Sequence, residues 1–525
     1  MFSTVKSPRV CSMLPRFSDV LQRHADEGRT ALIVSKTDGG EQHISYAVLA
    51  DYIRGCADGC ASLLPKEEII APGDFSVCLA GILAERGVES TAAFFGLMEA
   101  GFCPAFLDPQ MPLPTLAACM DSVSMRVLLT DKALDRSSFV AGTRIYSPAA
   151  CFATKNGKTR LPVPKKDSPA MMLFTSGSTG AAKGIVLSYE NLDSNAAGII
   201  AMTGITPEDR LLHVMPLYHT NGINNQLIAP LLVGATIILA DRFRPEQVPS
   251  LLERHAITYM TGTPTHYSRI LPFLRRRGSA GLHSLRFLRC GSAPITRELH
   301  SIVENAFGVE LLVSYGLSEA TCTTAMNPPG NRRIGSIGIP LKGQYVELFN
   351  PGSTEPAAEG EEAEICIRGP SLMLGYISKD QKLPFMNGWL RTGDLGRRDS
   401  DGFFYVTGRL KDIIVRGGEN ISPGLIENII RNHEAVSSCC VVGAVSDDLG
   451  EVPVAFVVFR DRCSVAEQVL RDRAAAVLKP AYVPVRWYFL PRLPENALGK
   501  VDRNALRAIA RNSGSKSNHL IHICP

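Results

Sequence analysis

The sequence lacks any apolar stretch long enough to span a bilayer as a helix, so no integral membrane segment is expected. It has no surplus of charge of one sign: 55 Lys and Arg face 51 Asp and Glu, leaving a net charge of +4. A nucleic-acid binder usually shows a basic stripe interleaved with aromatics. Here there are only short clusters such as Arg275-Arg276-Arg277, which read as a solvated helix end, and no nucleic-acid partner is expected. CxxC pairs are also missing. The 14 cysteines are scattered; Cys56 and Cys60 are four apart, and Cys439 and Cys440 are adjacent in an apolar run. Neither arrangement has metal-ligand spacing, so buried reduced thiols in a cytoplasmic protein are expected. The first eighteen residues carry Lys6, Arg9 and Arg16 without an acid. A frayed terminus is preferred there over an organelle presequence.

A chain of 525 residues exceeds one ordinary core, so two or more domains are expected. Between residues 170 and 320, apolar runs begin at Met171, Ala235, Ile257, Leu285 and Glu310, separated by helical patterns such as PEQVPSLLERH. Such alternation predicts an α/β domain with mainly parallel, buried sheet. The pattern changes near residue 400. Asp399-Ser400-Asp401-Gly402 reads as a turn and FFYV as a strand. After the polar break GRLKD come a candidate strand (DIIV), a helix after Pro423, and strands in SSCCVVGAV and VPVAFVVF. The expected division is a large domain over residues 1–410 and a small, mobile α+β domain over 411–525.

The most informative stretch is Thr175-Ser176-Gly177-Ser178-Thr179-Gly180-Ala181-Ala182-Lys183-Gly184, lying between the apolar runs MMLF and IVL. Its glycines let backbone N–H groups turn toward a ligand, its hydroxyls donate hydrogen bonds, and its lysine supplies charge. Those are the parts that hold a polyphosphate. A Walker A loop is excluded, because Lys183 is followed by glycine. The composition alone also fits a flexible Ser/Gly connection. Its position between two strand-like runs argues against that.

At this loop the chain resembles the adenylate-forming superfamily of acyl-CoA synthetases, firefly-type luciferases and peptide-synthetase adenylation domains. Further motifs follow in the family's order: MPLYHTNG from Met215 to Gly222, CGSAPI from Cys290 to Ile295, and SYGLSEA from Ser314 to Ala320. RIGSIGIP, EICIRGPSLMLGY and GWLRTGD, ending at Asp394, come next. FFYVTGRLKDIIVRGGENISP spans Phe403 to Pro423, and LPENALGKVDR spans Leu493 to Arg503. The resemblance covers residues 30 to 508. Departures are Ala182 for the loop's usual proline, Ser318 for threonine, Ala363 for glycine, and Leu425 for the first glutamate of a helix that keeps Glu427. No position expected to carry chemistry is lost.

The resemblance implies a role for each matching residue. Thr175, Ser176, Gly177, Ser178, Thr179, Gly180 and Lys183 would hold the β- and γ-phosphates of ATP. Glu319 would coordinate Mg2+, with Ser318 beside it in the same turn. Asp394 would accept hydrogen bonds from the ribose hydroxyls, and Arg409 would fix ribose and phosphate. Gly291, Ser292, Ala293 and Pro294 would lie against adenine, Tyr315 would stack near it, and Gly316 would border the acyl pocket with His219 and Asn221. Lys500 would neutralise charge building between the attacking carboxylate and the α-phosphate. Lys411 matches the hinge, and Gly417 and Gly418 would border the tunnel for a thiol. Taken singly, most of these are ordinary: a lone histidine is more often structural, and most Gly-Lys pairs are solvated turns. Only their joint occurrence raises them.

The expected activity is therefore an acid-thiol ligase joining a small-molecule carboxylic acid to coenzyme A, with ATP and Mg2+. The alternative acceptors are an amine or a carrier-protein thiol. An α-amino acid substrate is disfavoured, because His219 stands where an aspartate for the ammonium is usual, and a buried ammonium without a partner is costly. No carrier segment with a phosphopantetheine serine follows the small domain in this sequence, which favours CoA. The strip from Tyr218 to Leu232 mixes Ile and Leu with Asn and Gln. It suits a medium-sized, partly polar acid or a medium-chain fatty acid.

Overall fold

The computed structural model describes residues 12–36, 40–71, 75–153, 161–176, 182–277, 282–353, 355–377, 383–446, 448–461, 463–495 and 501–512. The chain forms two compact units. One comprises Met1–Val346 with Ile367–Leu390, the other Glu347–Cys366 with Arg391–Pro525.

The large unit is built on a nine-stranded sheet. Its strands Leu311–Tyr315, Phe287–Cys290, Tyr259–Gly262, Arg210–His213, Thr236–Ala240 and Thr30–Ser35 are neighbours and run parallel. Four of them are the apolar runs expected at 235, 257, 285 and 310. Side chains alternate between two cores: Leu211, Ile237 and Tyr259 enter one, Leu212, Ile238 and Met260 the other. Burial on both faces explains why these runs are continuously apolar instead of alternating. Each fully buried aliphatic or aromatic side chain contributes about 1.5–3 kcal/mol. A second, five-stranded sheet includes Phe75–Ile82, Cys103–Phe106 and Val127–Leu129 in parallel.

The run at Met171 behaves differently from the expectation of mainly parallel sheet. Strand Pro169–Ser176 pairs antiparallel with Ala182–Ser188, in a separate three-stranded sheet completed by Gly375–Tyr376. The reason is chain length: a parallel crossover needs a dozen or more residues, and only 177–181 separate these two strands. Ser188 then starts the next helix, Tyr189–Thr203, with a capping box: its Oγ accepts from the Asn191 N–H, and Asn191 Oδ1 accepts from the Ser188 N–H.

The small unit is α+β. Strands Glu419–Ile421, Ile414–Arg416, Gly450–Phe459 and Val436–Ser446 pair antiparallel in that order, and Arg486–Phe489 adds in parallel. Helices Pro423–Arg431, Glu467–Ala475 and Arg503–Asn512 accompany the sheet and bury Ile426, Ile430, Leu470 and Leu506. The described cysteines are free thiols, most of them buried. Among the described residues no helix is long and apolar enough to cross a membrane.

Candidate nucleotide and acid site

The phosphate loop closes the antiparallel hairpin. Thr175 pairs with Lys183 across its two strands, so the chain enters and leaves the loop side by side. Gly177, Ser178, Thr179 and Gly180 lie outside the described residues, as does the side chain of Ser176. Strand Gly375–Tyr376 lies along the hairpin, with Tyr376 opposite Ile185. From there the Tyr376 hydroxyl donates to Glu319 Oε1 at 3.0 Å, and the Lys183 ammonium stands 5.3 Å from the centre of the Tyr376 ring. One tyrosine thus holds both the expected phosphate lysine and the expected metal carboxylate. Burial, followed by the Glu319 carboxylate, pushes the Tyr376 hydroxyl well above its ordinary value, so it stays a donor at neutral pH. The Met373 N–H donates to the Glu319 carbonyl at 2.9 Å, fixing the backbone of the Ser318–Ala320 turn as well.

The remaining large-unit residues sit at the C-terminal ends of the parallel strands. Gly291 to Pro294 follow strand Phe287–Cys290; Gly291 is buried, while Ser292, at φ +65°, and the next two residues are exposed. Tyr315 ends the neighbouring strand. At Gly316 the chain turns back so closely that a Cβ would lie 1.7 Å from the Cys322 carbonyl oxygen; only glycine fits there. The acyl-pocket candidates belong to the loop before an eight-residue π-helix, Asn221–Ile228, and to its first residue. His219 precedes it, its ring 4.8 Å from that of Tyr218. Asn221 Nδ2 donates to Ser292 Oγ at 3.2 Å, so an acid-pocket candidate and an adenine-loop candidate touch directly. Insertion of a residue into a helix as a π-turn frequently marks functional sites.

In the small unit, Asp394 and Arg409 face each other on paired strands, with Arg409 Nε 2.7 Å from Asp394 Oδ1. Asp394 is 5% exposed, and Arg409 is open to solvent. The strand leading to Asp394 is held by buried Glu364, which accepts from Arg391 Nε at 2.7 Å and from the Gly393 N–H at 2.9 Å. Lys411 is exposed in the short turn Leu410–Asp412. Gly417 and Gly418 form the hairpin between Ile414–Arg416 and Glu419–Ile421, with φ of +56° and +87°. A Cβ on Gly418 would meet nothing within 4 Å, so conformation and not crowding demands glycine there. Lys500 lies outside the described residues. The ends of its loop are fixed by a bridge between Glu495 and Val501 and by the Asp502 N–H donating to the Pro494 carbonyl at 2.8 Å.

Sequence reasoning missed Tyr376 and Glu364, although both fall in the quoted EICIRGPSLMLGY stretch. It also passed over Arg503, whose Nη2 lies 2.7 Å from Glu427 Oε1 and whose Nε is 3.5 Å from Asp412 Oδ2. The retained Glu427 is thus a buried structural acid that also accepts from the Val441 N–H at 2.9 Å.

The large unit carries the Lys183 hairpin with the Glu319 turn tied to it through Tyr376, the small unit carries the Asp394–Arg409 pair, and these are the motif residues of the adenylate-forming enzymes. Residues 20–377 match the AMP-binding enzyme family, and residues 425–500 match the AMP-binding enzyme C-terminal domain. Feruloyl-CoA synthase of an Amycolatopsis species is 33% identical over 475 residues, covering 89% of this chain and 94% of that protein. Sulfoacetate–CoA ligase of Cupriavidus necator is 35% identical over 385 residues, covering 72% and 75%. Among solved structures, ATP-bound MatB from Rhodopseudomonas palustris superposes with a TM-score of 0.83 at 26% identity, covering 94% of this chain and 98% of that one. The o-succinylbenzoate CoA synthetase MenE from Bacillus subtilis, solved with its acyl-adenylate, gives 0.80 at 26% identity, covering 93% and 97%. The chain belongs to the AMP-binding enzyme family of adenylate-forming ligases, close to the acyl-CoA synthetases, whose typical chemistry is ATP-dependent adenylation of an acid.

Proposed function

We propose that this enzyme is a carboxylic acid:CoA ligase of the cytoplasm. In the first half-reaction an acid oxygen bonds to the α-phosphorus of ATP as the bond to pyrophosphate breaks. In the second, the CoA sulfur bonds to the acyl carbon, its proton is lost, and AMP departs. The observation that carries this reading is the joining of Lys183 and Glu319 through Tyr376 at the mouth of the phosphate hairpin.

Anion meets anion in the first step, so positioning and charge neutralisation dominate its catalysis. Lys183 offers its ammonium to the phosphates from the base of the hairpin. A carboxylate oxygen fits a hard cation that keeps most of its ligands from water and phosphate. Glu319 would hold Mg2+, which supplies charge neutralisation of the phosphate oxygens when bound. Asp394 and Arg409 orient the ribose, and Lys500 serves the transferring α-phosphate. His219 and Asn221 line the acid's carboxylate end.

The two half-reactions need different nucleophiles, and each must exclude the other's. A hinge at Lys411 supplies that separation: turning about it withdraws Lys500 and presents Gly417 and Gly418 to the thiol. Support comes from the small unit, where Arg503 and Arg507 both bind Asp412, the residue after the hinge. That ties the helix Arg503–Asn512 to the turn that holds Lys411. Relatives named for feruloyl, sulfoacetate and oxalate thioesters take different acids, so membership leaves the acid open.

The test is a panel of carboxylic acids with ATP, Mg2+ and CoA, following pyrophosphate release and acyl-CoA formation. Acid-dependent release of both products supports the assignment. Adenylation with transfer only to an amine or a carrier-protein thiol removes CoA as the acceptor and leaves the adenylation step standing.

A further inference from the structure

Arg289 is the largest fully buried side chain among the described residues, 1% exposed, on the strand that leads into the Gly291–Pro294 loop. A buried guanidinium needs a counter-charge and several acceptors, and it remains a cation at neutral pH. This one has little of either. Its Nη2 donates to Thr323 Oγ1 at 3.4 Å, its Nε has no hydrogen-bond partner among the described residues, and no carboxylate there pairs with it. The neighbouring strand places Thr261 beside it in register, and Tyr259 lies near; both hydroxyls are buried and have no partner among the described residues.

A chain of hydrogen bonds links this cluster to the candidate acid-site residue Asn221. Thr323 Oγ1 accepts from Asn225 Nδ2 at 3.3 Å, Asn225 Nδ2 also donates to Asn221 Oδ1 at 3.0 Å, and Asn221 reaches Ser292. Arg289 is two residues before Gly291, a separation of about 7 Å of extended strand. We propose that Arg289 reads a second negative charge on the substrate: the acid is a short dianion carrying a distal carboxylate or sulfonate, which the guanidinium and the Thr261 and Tyr259 hydroxyls bind while the other carboxylate is adenylated. The proposal rests on the ligase reading of this site and names its substrate class. A planar, fixed cation whose Nε–H has no partner among the described residues matches such an oxyanion. A monocarboxylic acid of equal length leaves the buried cation uncompensated.

The test measures binding by calorimetry to the full-length enzyme with Mg2+ and a non-hydrolysable ATP analogue. Succinate, malonate and sulfoacetate are set against propanoate and butanoate, and acyl-CoA formation is followed in parallel. Wild-type enzyme is expected to bind at least one dianion roughly 100-fold more tightly than the matched monoanion, the range for a desolvated charge pair. Sulfoacetate against the two dicarboxylates separates the distal groups. R289M, similar in volume and neutral, should close that gap, and R289K should keep part of it. Equal or tighter binding of monoanions by wild type overturns the proposal without any variant having to fold, and a gap that survives in folded R289M overturns it too. Turnover of monoanions with no dianion preference sinks this inference and leaves the ligase reading intact. Arg289-dependent dianion binding with no acyl-CoA formed from any acid sinks the ligase reading and leaves the anion site.

Discussion

On the proposed mechanism, Lys500→Ala removes a charge needed chiefly while the α-phosphate bond is changing. The variant should lose pyrophosphate release by about 100-fold or more while ATP affinity stays nearly unchanged. Thioester formation from a supplied acyl-adenylate should persist. Release at the wild-type rate takes the lysine out of the mechanism. At the other end of the nucleotide, Glu319→Gln should raise the Mg2+ concentration needed for half-maximal activity, since an amide is a poorer ligand for a hard dication. Tyr376→Phe keeps the ring near Lys183 and deletes the O–H that fixes Glu319. It should shift the same titration by a few-fold, in line with loss of about 1 kcal/mol of hydrogen bonding. Tyr376→Ala also deletes the ring and should weaken ATP binding in addition. An unmoved Mg2+ titration in both Glu319 and Tyr376 variants would show that neither holds the metal.

Two glycine turns distinguish crowding from conformation at the level of elements. Gly316 has no room for a Cβ against the Cys322 carbonyl, so Gly316→Ala must displace backbone and should cost about 3 kcal/mol in a denaturant melt. Gly418 has room but a left-handed φ, so Gly418→Ala should cost about 1 kcal/mol and spare both half-reactions. Gly418→Trp adds bulk at the same conformational cost. If this hairpin borders the thiol tunnel, Trp should impair acyl-CoA formation far more than pyrophosphate release. Equal loss of both half-reactions in Ala and Trp variants would leave the turn a purely structural one.

Each unit buries hydrophobic clusters of its own, and the small one also holds an ion cluster. Asp412 and Glu427 together receive Arg503, and Asp412 also receives Arg507 at 2.9 Å. Asp412→Asn removes one acid and leaves partly buried guanidinium groups short of charge, a loss of about 2 kcal/mol after allowance for their exposure. Calorimetry should show the small unit's transition move to lower temperature and the large unit's stay in place. A single transition that shifts as a whole would show instead that the two units unfold together.

Pattern alone located the sheet strands from 235 to 315, the α+β composition of the small unit, and the motifs that mark an adenylate-forming enzyme. Strand burial imposes a continuous apolar run, and phosphate binding imposes glycine, hydroxyl and lysine close together in sequence, so both leave local traces. Long-range pairing leaves none. Tyr376 meets Glu319 across 57 positions of sequence, and Arg503 meets Glu427 across 76. A tyrosine in a quoted motif and an arginine at a motif's end look like any others until the sheets bring them to their carboxylates. The antiparallel pairing at Met171 follows from the short connection, 177–181, between its two strands, which apolar content does not encode. Arg289 is the plainest case: between Leu288 and Cys290 the sequence shows one cation in an apolar strand, and only the folded sheet makes it buried, short of partners among the described residues and linked through Thr323 and Asn225 to the candidate Asn221.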